Sequence, residues 1–92
     1  MNIKLRFTAQ IKDVVGNGAD TIVVNDGAKL QDLLKKIAGK YGEKFESILF
    51  DENNGYRHSN LIVINQSQIS YEDNVTLTEG DEVTLMSPIS GG

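Results

Sequence analysis

The first residues, NIKLRFT (2–8), set Ile3, Leu5 and Phe7 against Lys4, Arg6 and Thr8. Successive side chains point to opposite faces of a strand, so this alternation predicts a half-buried strand. QIKDVVGNG then reads as a short helical turn ended by Gly16, with a further turn at Gly18. TIVVN (21–25) is β-branched and strand-like, so the two strands predict a hairpin with a long connection. The period then changes. In DGAKLQDLLKKIAGKYG, residues Leu30, Leu33, Leu34, Ile37 and Tyr41 fall on one helical face, with Lys29, Asp32, Lys35, Lys36 and Lys40 mostly off it. Asp26 or Gly27 precedes this helix, Gly42 is its stop, and Gly39 weakens its last turn. Further on, Ile48–Asp51 reads as a short strand with ENNG as its turn. LIVIN (61–65) has four consecutive apolar residues, the pattern of a strand covered on both sides or with one face awaiting a partner. Last, a turn at Gly80-Asp81 leads into Val83 and Leu85 alternating with Thr84 and Met86.

One amphipathic helix among several strands must bury its stripe on one sheet face, which predicts a small α+β roll. The first and last strands carry the cleanest alternation and are expected to be central neighbours. At 92 residues the chain makes one domain, large enough to fold without staples. It has no cysteine, hence no disulfide, thiolate zinc site or cysteine nucleophile, and its single histidine, His58, rules out a histidine metal cluster within one chain. No apolar run approaches the roughly 20 residues of a membrane span. No charged-then-apolar leader opens the sequence, so the expected location is cytoplasmic.

The net charge of −4 is unevenly spread. Residues 1–50 carry eight bases and six acids, whereas residues 51–92 carry one base, Arg57, and seven acids. An acidic C-terminal half disfavours nucleic-acid phosphates and suits a basic protein partner. Candidate catalytic groups do not assemble. The pairs Asp51-Glu52, Glu72-Asp73 and Asp81-Glu82 are adjacent in sequence, and adjacent residues on a strand face opposite ways, so they form no carboxylate dyad. The glycines lack the spacing of a nucleotide-binding loop. The expectation is therefore a protein that is not itself an enzyme and holds no metal or cofactor.

The chemistry is concentrated at SPISGG, residues 87–92. Two glycines without Cβ atoms can thread a narrow channel, and leave the carboxylate of Gly92 open to attack. That carboxylate is ionised near neutral pH and is a weak electrophile until another protein activates it, most simply by adenylation.

EGDEVTLMSPISGG resembles the C-terminal signature of the MoaD/ThiS family: Gly-Asp-Glu-Val, a hydrophobic strand, Pro, an aliphatic residue, a small residue, Gly-Gly. Here these are Gly80, Asp81, Glu82 and Val83, then Thr84 to Met86, Pro88, Ile89, Ser90, Gly91 and Gly92. VIN (63–65) and RFTAQIKDVVG add supporting pattern, so the resemblance covers nearly the whole chain. Three features depart from it. Ser87 stands where many members have the first of two prolines, Ala28-Lys29 where the helix often starts at Thr, and Phe45–Asn60 is longer than in the shortest molybdopterin synthase small subunits.

The resemblance implies a β-grasp, ubiquitin-like roll: a mixed sheet of four to five strands with one main helix on one face, spanning residues 1–86, followed by a flexible diglycine tail at 87–92. It implies a sulfur carrier whose Gly92 is adenylated and converted to a thiocarboxylate, with molybdopterin biosynthesis as the leading destination. ATP would be used by a partner, an adenylating enzyme of the ubiquitin-activating type. The sulfur would pass to a synthase such as the molybdopterin synthase large subunit. Gly91 and Gly92 would carry the chemistry, and Met86, Ser87, Pro88, Ile89 and Ser90 would form the docking stem. Ile62, Ile64 and Met86 are expected to form an apolar patch of roughly a few hundred Å² on the exposed sheet face. The alternatives are a protein modifier joined to lysines through Gly92, a carrier for cysteine or thiamine-type synthesis, and a β-grasp binding module with an inert tail.

Overall fold

The computed structural model describes residues 1–88. The chain runs β1 (Asn2–Thr8), α1 (Ala9–Val15), β2 (Ala19–Val23), α2 (Leu30–Tyr41), α3 (Glu43–Leu49), β3 (Leu61–Ile64), β4 (Ser67–Ile69) and β5 (Glu82–Met86), with a 3-10 turn at Tyr71–Asp73. The strands make one mixed sheet in the order β2-β1-β5-β3-β4. β1 and β5 are central neighbours and the parallel pair, aligned from Lys4↔Glu82 to Thr8↔Met86. The β1–β2 hairpin and both pairs made by β3 are antiparallel.

The alternation along β1 and β5 sends Ile3, Leu5, Phe7, Val83 and Leu85 into one core with Leu30, Leu33, Leu34 and Ile37 of α2. α2 ends where the sequence places its stop: Gly42, at φ +95, donates its N–H to the Ala38 carbonyl. It begins later than Asp26 or Gly27, because Gly27 (φ +85) forms a turn and Lys29 is the N-cap. The first turn of α2 is satisfied from across the chain. Asn74 Oδ1 accepts the Gln31 N–H at 2.9 Å, and the Val75 carbonyl accepts that of Leu30 at 2.9 Å. Asp32 reaches back to the Lys29 N–H at 3.0 Å.

Residues 43–60 differ from the sequence expectation. Ile48 and Leu49 belong to helix α3, and only Phe50 pairs, in an isolated bridge with Tyr56. Phe45, Ile48 and Leu49 recur at helical spacing, and Phe45 and Leu49 are fully buried, so packing favours helix over strand. The turn itself is at ENNG. Asp51 accepts the Asn53 and Gly55 N–H groups at 2.9 Å, while Asn54 takes φ +63. Aromatic packing ties this longer segment to the 3-10 turn: Tyr56 stacks on Tyr71 with centroids 4.5 Å apart and planes at 3°. On the opposite flank, Asp20 of β2 accepts hydrogen bonds from Lys40 at 2.8 Å and from the Tyr41 hydroxyl, which fastens the sheet edge to the end of α2.

Candidate functional site

The last described residues leave the middle of the sheet. β5 is fed by the turn before it, where Asp81 accepts the Thr78 N–H at 2.8 Å, the Thr78 hydroxyl at 3.0 Å and Asn65 Nδ2 at 3.0 Å. Burial pushes the Asp81 carboxyl up, but the bonds from Thr78 and Asn65 outweigh it and hold the group below its usual value. The turn is therefore locked by an ionised acceptor, and the register of β5 is fixed from its first residue.

At its other end, Met86 lies between Thr8 of β1 and Leu61 of β3. Thr84 lies between Arg6 and Val63 in the same way. These side chains point away from the helices. Met86 is 38% exposed and Leu61 41%, with Val63 and Thr84 half-buried beside them. The result is a small apolar strip on the open sheet face at the root of the C-terminal tail. Charged groups border it: Arg6 Nε pairs with Glu82 at 3.0 Å. Arg6 also lines a shallow groove of about 470 Å³ with Thr8, Lys12, Asn17 and Thr84. The strip can bury apolar partner surface, and the groove offers cations to acidic groups around it.

Ile62 and Ile64, expected on this open face, are instead core residues, 1% and 9% exposed. Pairing decides the phase. Ile62 lies opposite Leu85 and Ile64 opposite Val83, both buried, so the four-residue apolar run turns its other pair outward. Leu61 and Val63 are the positions that the sequence reading missed. The signal that would have found them is the inward phase of Val83 and Leu85, carried across the antiparallel ladder.

Ser87 also departs from expectation. Placed in a flexible stem, it is only 7% exposed and faces its own domain. Its hydroxyl donates to the Thr8 carbonyl and accepts the Ile11 N–H, each at 3.2 Å. Thr8 is the N-cap of α1 but makes no side-chain capping bond, so Ser87 supplies that cap from the far end of the chain. The junction it grips is strained, because Ala9 adopts φ +52, a left-handed conformation that costs a residue with a Cβ about 1–2 kcal/mol. Pro88 follows and is exposed. Ile89, Ser90, Gly91 and Gly92 lie outside the described residues. Among the described residues, no group of three or more His, Asp or Glu side chains is disposed to hold a metal ion. No helix among them is long and apolar enough to cross a membrane.

Comparison with known proteins adds to this geometry. The molybdopterin synthase sulfur carrier subunit of Chlamydomonas reinhardtii is 29% identical over 92 residues, covering 100% of both chains. The crystal structure of SAMP1 from Haloferax volcanii superposes with a TM-score of 0.89 over 100% of both chains, at 22% identity, and shows the shared fold. Subunits 1 and 2 of the molybdopterin-converting factor of Helicobacter pylori have been solved as a protein-protein complex; the match there has a TM-score of 0.63 and 26% identity, over 100% of each chain. The fold is thus the β-grasp of the ubiquitin-like proteins. The model of the ThiS family matches residues 5–92, from the first strand through the closing diglycine, and the chain belongs to that family.

Proposed function

We propose that this protein is a sulfur carrier for molybdopterin formation, with the sulfur held as a thiocarboxylate on Gly92. The observation that carries the proposal is the reach of the family pattern through Gly91 and Gly92, on a chain whose last strand leaves the centre of the sheet beside an exposed apolar strip.

A separate enzyme of the ubiquitin-activating type supplies ATP. A carboxylate oxygen of Gly92 attacks the α-phosphorus, and the bond to pyrophosphate breaks. Sulfur at the oxidation level of hydrosulfide then adds to the acyl carbon, AMP departs, and a thiocarboxylate remains with no net redox change. The chain itself acts as co-substrate: it holds no cofactor, and its work is to be recognised and to present its terminus. The complex of subunits 1 and 2 from Helicobacter pylori supports a synthase large subunit as the acceptor, and the exposed strip of Leu61, Val63 and Met86 is the surface this chain offers it.

Mass spectrometry of the protein purified from its host tests this directly. Replacing the terminal oxygen by sulfur adds roughly 16 mass units, confined to the C-terminal peptide. A second measurement is pyrophosphate exchange with the host adenylating enzyme. Deleting Gly92, or adding one alanine after it, moves the acyl carbon by up to about 3.6 Å. Misplacement of about 1 Å can cost a hundredfold in rate, so both variants are expected to lose exchange while keeping wild-type stability. Equal exchange from all three proteins would overturn the carrier role. Higher-mass conjugates dependent on Gly92, without any thiocarboxylate, would assign the activated carboxyl to protein lysines instead.

A further inference from the structure

We infer that Ser87 is a positioning residue for the activation of Gly92, a clasp that sets the point and direction from which the tail departs; this rests on the carrier reading above. Three observations meet at this residue. Its hydroxyl bridges the Thr8 carbonyl and the Ile11 N–H at 3.2 Å each, joining residues 76 and 79 positions apart in the chain. It is nearly buried, whereas Met86 before it and Pro88 after it are exposed. And the turn it grips contains Ala9 at φ +52, a conformation the isolated sequence does not favour.

The consequence is geometric. β5 hydrogen-bonds through Met86, and the clasp extends the fixed part of the chain by one residue, onto the N-terminus of α1. Pro88 then follows with φ restricted near its ring-imposed value. From Ser87, the five residues to Gly92 span at most about 18 Å. An enzyme that seats the domain by its sheet face meets the carboxylate at the end of a tether of fixed origin. Without the hydroxyl the root loses both bonds, and the origin and direction of the tether spread, while the docking strip of Leu61 and Met86 is untouched. Loss of positioning therefore falls on turnover and spares recognition.

The test uses Ser87→Ala, Ser87→Thr and Ser87→Val in the full-length chain. The last two have the same bulk and differ in the hydroxyl. Pyrophosphate exchange with the adenylating enzyme from the same host is measured as a function of carrier concentration, beside wild type and the Gly92 deletion. The expected result is that Ser87→Ala and Ser87→Val lower kcat about tenfold with KM within about twofold, while Ser87→Thr restores kcat to within about threefold of wild type. Amide hydrogen exchange at Ile11 should quicken in the Ala and Val variants and stay protected in the Thr variant. Should the Ala variant fail to fold, the Thr and Val pair decides on the same terms. Wild-type kcat in Ser87→Ala, equal loss in Thr and Val, or a change confined to KM would each overturn the clasp while the silent Gly92 deletion upheld the carrier reading. Exchange by the Gly92 deletion at the wild-type rate would remove that reading, and the clasp with it.

Discussion

Ile62 and Leu61 are adjacent, both apolar, and face opposite ways, so they separate core from surface at a single step of the chain. Ile62→Ala leaves a cavity in the core beneath β3 and is expected to cost about 2–5 kcal/mol, read as a lower denaturant midpoint. Leu61→Ala removes a side chain that is only partly buried on the open face, at 41% exposure, and should cost much less, about 0.5–1 kcal/mol. Equal losses from the two would reverse the assigned phase of β3. A second single-residue effect is electrostatic. The Lys40 ammonium first, then the Tyr41 hydroxyl and the Thr21 N–H, hold the Asp20 carboxyl down at about 2, against an ordinary 3.8. A carboxylate with a depressed folded-state pKa contributes stability above its unfolded value and loses it as pH falls through the folded one. The stability of wild type should therefore decline between about pH 4 and pH 2 more steeply than that of Asp20→Asn. Parallel pH profiles of the denaturant midpoint would exclude this contribution. The alternation in NIKLRFT and EVTLM, and the apolar stripe of the helix, were legible because each is local. The phase of LIVIN was not, because four apolar residues in a row satisfy either face, and only the ladder to Val83 and Leu85 selects one.

At the scale of elements, the helices share a device: α1 and α2 both lack a side-chain acceptor from their own N-cap on the donors of the first turn, and both take one from a distant residue. Ser87 serves Ile11, and Asn74 serves Gln31. Asn74 is held in a left-handed conformation at φ +42, which aims its amide oxygen at the helix. Asn74→Ala removes the acceptor and adds strain, and is expected to cost about 1–2 kcal/mol. Asn74→Gly removes the same acceptor but relaxes the backbone and should be the milder of the two. A thermal melt of both variants reads the difference, and a more damaging Gly variant would argue against a strained backbone here. Gly39 offers the opposite change. A Cβ there would meet nothing within 4 Å, so Gly39→Ala should raise stability by about 0.5–1 kcal/mol. Such long-range caps cannot be read from sequence windows, since the capping residue lies 43 to 76 positions from its helix. The short helix α3 was lost for a different reason. Phe45, Ile48 and Leu49 have helical spacing, but over seven residues that spacing is too short to outweigh the strand-like composition of Ile48–Asp51.

For the whole molecule, the sheet has two unlike faces. One is covered by the helices and the aromatic contacts of Phe7, Tyr41 and Phe45. The other is mostly polar, with Leu61, Val63 and Met86 gathered where the tail departs. The proposed association with a synthase large subunit should therefore be sensitive to charge at this place. Leu61→Asp and Met86→Asp are each expected to weaken it at least about tenfold in isothermal titration, with little change in the melting temperature. Thr21→Asp, on the same open face at the distant β2 strand, should bind as wild type. Uniform effects from all three would exclude the strip as the contact. The roll and the diglycine signature were legible from one end of the sequence to the other, whereas the contact strip appeared only once strand register had been laid out.

The parallel pairing of β1 with β5 also bears on the order of biosynthesis. The strand made first waits for the strand made last, and until β5 leaves the ribosome both β1 and β3 lack their shared central neighbour. Closing so long a loop late makes folding slow compared with a fold built from local contacts. It also means that a chain stopped before β5 has no completed sheet. The strand that completes the domain is thus also the one that carries Met86 of the apolar strip, so sheet and strip are finished in a single step.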